Sequence, residues 1–148
     1  MKVILDADGC PVVKIVTALC ARYGVSCCLV CDTAHNFYGL DFPVITVDKG
    51  SDSADFAIAN RVCSGDIVIT QDYGLASMCL AKSARVLHQD GWEYTPDNID
   101  ALLLQRHESR KFRNSGGRTK GPKKRQQAQD QAFLSAFEKI LQGNVFGG

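Results

Sequence analysis

The stretch G-D-I-V-I-T-Q-D (Gly65 to Asp72) decides the fold. Asp66 to Thr70 reads D-I-V-I-T, the clearest buried strand in the chain. Asp72 follows, and Leu75 to Ala81 continues as an apolar helical run, so the segment reads strand, turn, helix. Upstream, Gly65 stops a helix expected over Ala54 to Val62. In it, Phe56, Ile58, Ala59 and Val62 repeat at near-helical spacing, with Ser51, Asp52 and Ser53 offering caps. Downstream, Ala84 to Leu87 predicts another strand.

The unit recurs at the start of the chain. Lys2 to Leu5 is a β-prone run ending in aspartates, and Pro11 opens an apolar-periodic helix through Tyr23 that Gly24 closes. Val25 to Cys31 and Pro43 to Val47 read as two further buried strands, joined by the polar segment Asp32 to Phe42. Thr95 before Pro96 is a cap followed by a first-position proline, so a helix is expected from Pro96 to about Arg106, with Ile99, Leu102 and Leu103 inward. Asn114 to Gly121 reads as a loop, and Gln126 to Leu141 as a last amphipathic helix. Strands alternating with helices imply βαβ units. The expected fold is a single-domain three-layer α/β/α sandwich spanning residues 1–148, with a mostly parallel sheet of about five strands. Its core covers about 1–106, a basic Gly-rich loop 107–125 and a C-terminal helix 126–142.

The 148 residues are 45% hydrophobic and 22% charged, ordinary for a single folded domain. Every apolar run is broken by Asp, Lys, Arg or Gly before reaching membrane-spanning length, and Asp6 and Asp8 interrupt any export-type N-terminus. A cytoplasmic protein is expected, and its seven cysteines are expected to stay reduced. Cys28 and Cys31 have the C-x-x-C spacing, but without a second ligand pair nearby they read as buried strand cysteines rather than a zinc site. Cys10 sits among carboxylates that oppose a thiolate, so packing at the helix start is its expected role.

In parallel sheets, ligands bind outside the carboxyl ends of the strands, where the winding reverses. Asp6 ends the first strand, with Asp8 two residues on. Asp52 and Asp55 follow the third, and Asp72 follows the fourth. Clustered carboxylates raise one another's pKa unless a cation compensates, and hard oxygen donors suit Mg²⁺ or Mn²⁺. Such an ion orients a phosphodiester and activates water against it. Asp6, Asp8, Asp55 and Asp72 are therefore the candidate metal ligands and catalytic groups, while Asp52 reads as a helix cap. Thr70 and Ser51 are placed to bond an aspartate or a metal-bound water, with ordinary strand-end and cap roles as the competing reading, whereas Asp66 opens its strand and belongs to the opposite edge in a structural role.

The net charge of +1 hides an asymmetry: residues 106–125 hold nine Lys or Arg and one acid, leaving eight bases against fifteen acids elsewhere. Arg110, Lys111, Arg113, Arg118, Lys120, Lys123, Lys124 and Arg125 form a candidate phosphate track for nucleic acid, RNA being the expected partner. With Phe112 as the sole interleaved aromatic, a solvated surface segment is the competing reading. His88, His107 and Trp92 read as structural or surface residues, and His35 as part of the loop after the second strand.

The motifs D-A-D-G-C-P (6–11), G-S-D-S-A-D (50–55), G-D-I-V-I-T-Q-D-Y-G-L-A (65–76), Y-T-P (94–96) and R-N-S-G-G-R-T-K-G-P (113–122) together resemble the YaiI/YqxD family of bacterial proteins, over nearly the whole chain and in the same order. That family is grouped by resemblance with PIN-like domains, metal-dependent ribonucleases with an acidic site on an α/β sheet. The resemblance implies a nuclease, or a degenerate relative of one, with Asp6, Asp55 and Asp72 matching the first acid, the mid-chain helical acid and the acid after T-x-D. PIN enzymes commonly carry one more acid shortly after the third, which Tyr73 to Ala76 do not supply; Asp8 is the candidate substitute. Two alternatives stand beside this reading. One is an RNA-binding module without turnover. The other is a phosphatase resembling the haloacid dehalogenase type, with Asp6 as nucleophile and Asp8 as acid/base.

Overall fold

The computed structural model describes residues 1–32, 37, 39–49, 53–116 and 124–146. Its elements are β1 (Val3–Asp6), α1 (Val13–Tyr23), β2 (Cys27–Cys31), β3 (Val44–Thr46), α2 (Ser53–Arg61), β4 (Ile67–Ile69), α3 (Tyr73–Ala81), β5 (Arg85–Leu87), β6 (Glu93–Tyr94), α4 (Pro96–Asn114) and α5 (Gln127–Phe146). They form one six-stranded sheet in the order β3-β2-β1-β4-β5-β6, in which β6 alone pairs antiparallel. The expected α/β sandwich is present. Among the described residues no helix is long and apolar enough to cross a membrane.

Strand periodicity explains the layers. Val3 and Leu5 of β1, Leu29 of β2 and Ile67 and Ile69 of β4 face one side, where they meet Val16 of α1 and Phe133, Phe137 and Leu141 of α5. Ile4, Val30, Val68 and Val86 face the other, against Ile58 of α2, Leu75 and Cys79 of α3 and Ile99 of α4. A strand buried on both faces has to be apolar at every position, which is why β1 and β4 read so clearly. The same alternation separates Cys28 from Cys31: three apart on a strand, they pack on opposite faces of the sheet. All seven cysteines are free.

Three expectations are corrected, and one further strand is added. β3 is an edge strand, half-exposed rather than buried, because among the described residues no further strand pairs with its outer side. Phe56 is exposed rather than inward. Residues two apart on a helix lie about 200° around its axis, so Phe56 cannot share a face with the buried Ile58. The helix expected to end near Arg106 runs to Asn114, so residues 107–114 are helical rather than loop. Beyond Leu104 its single apolar side chain, Phe112, is exposed like almost every later residue, so periodicity gave no sign of the extension. β6, only two residues long, escapes periodicity altogether. The start of α4 is as expected, Thr95 and Asn98 forming a reciprocal capping box with Pro96 at the first turn.

The β5–β6 connection is locked onto α5. His88 stacks on Trp92 at 4.3 Å, and Arg125 donates to Asp90 (2.7 Å), Asp130 (2.7 Å) and the Gln89 carbonyl (2.8 Å). Gly91 lies between them with φ +95°, and a Cβ there would meet the Ala132 carbonyl at 2.7 Å. Gly91→Ala therefore combines left-handed strain with a backbone clash. It should lower unfolding stability by roughly 2–5 kcal/mol in a denaturant titration; a loss under about 0.5 kcal/mol, the range of a neutral surface change, would contradict the close approach.

Candidate acidic site at the sheet crossover

β1 leads into α1 on one face and β4 into α3 on the other, so the chain diverges between these two adjacent strands. Two acids meet in the resulting crevice. Asp6 ends β1, and its Oδ2 accepts the Thr70 hydroxyl at 2.8 Å. The Thr70 oxygen in turn accepts the Asp72 backbone N–H at 3.0 Å. Thr70 is buried, and its carbonyl takes the Tyr94 hydroxyl at 3.3 Å, so this bridge is held from behind.

Asp72 caps α3: its Oδ1 accepts the Gly74 and Leu75 N–H groups at 2.8 and 3.2 Å. Arg106 reaches the same oxygen from α4 at 3.6 Å. Gly74 leaves the room this requires, since a Cβ there would lie 3.3 Å from Asp72 Oδ1 and 3.5 Å from Arg106 Nη1. Asp8 Oδ2 accepts the Asp32 N–H at 2.6 Å, tying the turn after β1 to the end of β2. Asp55 stands in the first turn of α2.

Three of the four candidates, Asp6, Asp55 and Asp72, line two neighbouring clefts, and Asp8 lines neither. One, of about 350 Å³, is lined by Asp6, Gln71, Asp72, Tyr73 and Arg106. The other, also about 350 Å³, is lined by Asp55, Phe56, Asp72, Gly74, Met78 and Arg106. Asp72 and Arg106 belong to both. A larger hollow of about 500 Å³ lies between Lys2, Gly24 and Phe42, with Lys2 as its one charged lining residue. It offers no acid–base chemistry and is not the site.

Electrostatics single out Asp6. Burial, and then the nearby Asp72 and Asp8 charges, push its carboxyl up from 3.8 to about 6 against the lowering effect of the Thr70 hydrogen bond. Burial also raises Cys10 to about 11, with Asp6 adding to the effect, which leaves the thiol protonated and in its expected packing role. Asp66 behaves as expected of the opposite edge. Burial there is outweighed by hydrogen bonds from Lys2 and the Cys63 N–H, and its pKa falls.

Among the described residues no group of three His, Cys, Asp or Glu is arranged to hold a metal ion, so the four aspartates do not form a closed cage. The donors in the first cleft are nonetheless hard carboxylate oxygens. Mg²⁺ commonly takes one or two such groups, with water and substrate phosphate completing its shell. Asp6 and Asp72 fit that smaller requirement.

Arg110, Lys111 and Arg113 are exposed on α4, and Lys124 is exposed before α5. Arg125 is held in the clamp with Asp90 and Asp130, so it serves the fold rather than a phosphate. Arg118, Lys120, Lys123, Ser51, Asp52 and His35 lie outside the described residues. Arg106 is the site residue that sequence reasoning missed. Its spacing from Arg110 and Arg113 puts three guanidiniums on one face once the helix is known to continue.

A match to the family model described as "Uncharacterized BCR, YaiI/YqxD family" covers residues 4–143, and the chain belongs to that family. It is similar to a UPF0178 protein of Exiguobacterium sibiricum, 49% identical over 95% of this chain and 96% of the relative. A UPF0178 protein of Ruminiclostridium cellulolyticum is 46% identical over 93% and 90%, and one of Clostridium acetobutylicum 40% over 98% and 100%. No solved structure matches significantly.

A carboxyl with a raised folded pKa favours folding fully below its unfolded pKa, and that contribution is lost as pH rises through the folded value. For Asp6 the window runs from 3.8 to about 6. Asp6→Asn, which keeps an acceptor for Thr70, should be more stable than wild type by on the order of 2 kcal/mol at pH 8 and about equally stable at pH 4. Denaturant melts at the two pH values read this directly, and a pH-independent difference would refute the assignment.

Proposed function

We propose that this protein is a Mg²⁺- or Mn²⁺-dependent nuclease acting in the cytoplasm on RNA, with a PIN-like site. The observation that carries the reading is the pairing of Asp6 and Asp72 through Thr70 in one cleft, where burial and neighbouring charge leave Asp6 short of a compensating cation. When bound there, the ion would orient a phosphodiester and make a water nucleophilic at neutral pH.

The chain's own groups supply the remainder. Asp6, beside Asp72 in the cleft, is placed to take the proton that water loses as its oxygen attacks phosphorus and the P–O bond to the leaving group breaks. Thr70 fixes the direction of that carboxylate. Arg106 provides the cation at the cleft mouth, and Arg110, Lys111 and Arg113 extend positive charge along α4 for the flanking phosphates. Asp8 adds negative charge near Asp6, while Asp55 serves the adjoining cleft.

Calorimetric titration with Mn²⁺ at low salt, paired with cleavage of single-stranded RNA, tests the proposal. Wild type should bind saturably and cleave, whereas Asp6→Asn and Asp72→Asn should lose both by at least about a hundredfold in cleavage, the scale of a lost acid–base group. Both variants should fold, because Asn retains the acceptor for Thr70 and remains a good helix cap. RNA binding without cleavage, unchanged by chelator or by either substitution, would assign the protein to the binding-module class instead.

A further inference from the structure

Phe56 is the most exposed large apolar side chain of the molecule's described residues, 60% accessible, and Met78 is 37% accessible. They stand on different helices, α2 and α3, yet line the same cleft, which also contains Asp55, Asp72 and Arg106. Single exposed apolar residues are ordinary. Two that converge from separate helices onto a cleft with carboxylates and a guanidinium have the mixed apolar and polar lining of a ligand pocket.

We propose that Phe56 and Met78 form a stacking platform for one unpaired nucleobase, which makes the substrate class single-stranded nucleic acid. The inference rests on the nuclease reading and deepens it. A nucleotide brings a flat apolar ring, a sugar and an anion, and this cleft offers an aromatic face, a polarizable thioether and a cation. Arg106 borders both clefts, so a phosphate against it would lie between the platform and the Asp6–Asp72 pair. In a duplex the base faces are covered by their neighbours, whereas an unstacked base presents a face to an aromatic ring. Such contact tolerates any base, so the platform selects strandedness rather than sequence.

The competing occupant is a side chain from a second copy of this chain. The experiment separates the two. Fluorescence anisotropy would follow binding of a labelled short oligouridylate and of the same backbone lacking its bases, with Ca²⁺ replacing Mg²⁺ to suppress turnover. Phe56→Ala should weaken oligouridylate binding about tenfold and leave the abasic ligand unchanged, and Phe56→Tyr should restore the wild-type affinity. Because the side chain is exposed, the alanine variant should keep the wild-type melting temperature, which a thermal melt verifies.

Equal weakening for both ligands would overturn the platform while sparing the nuclease reading. So would a base-independent result in which Phe56→Ala changed only the sedimentation behaviour, assigning the face to self-association. If wild type bound neither ligand, the nuclease reading itself would fall, and the platform with it.

Discussion

Everything in this fold follows from two strands that are covered on both sides. β1 and β4 lie at the centre of the sheet, and each must bury one face under α1 and α5 and the other under α2, α3 and α4. The helices leaving them therefore depart in opposite directions, and a crevice opens between the strand ends without any loop having to build it. Asp6 and Thr70 are the first polar residues past the apolar runs, so the hydrogen bond joining them closes the core and opens the site at once.

Two aspartates at opposite ends of the same sheet show how position sets chemistry. Asp66 receives the Lys2 amine at 2.6 Å and two backbone N–H groups, and its carboxyl is driven down. Asp6 receives one hydroxyl and stands near two further acids, and its carboxyl is driven up. The first arrangement is electrostatically complete. The second is complete only when a cation or a proton joins it, as expected of a site that acts on something rather than a contact that merely holds the chain.

The central strands and the helix start at Thr95 were legible in the sequence, because each rests on local periodicity or on a cap, whereas Asp72 was read as a candidate metal ligand and not as the cap of α3 that it also is. What was not legible depends on partners far along the chain. Arg106 joins the candidate site because α4 packs against α3 and Gly74 leaves space for it. Phe56 looked like part of a buried stripe because apolar identity was counted without its angle around the helix. Arg125 looked like one more phosphate contact until Asp90 and Asp130 were seen to enclose it. Composition reveals that a charge exists, and packing decides whom it serves.

The sheet also ends abruptly. Its outer strands, β3 and β6, span three and two residues, and β6 runs against its neighbour. Edges this short expose too few unpaired amide groups to recruit a strand from another molecule. The central strands, whose unbroken apolar runs are the most adhesive segments of the chain, are thus enclosed within the folded sheet, and the native fold offers little template for growth into an ordered aggregate.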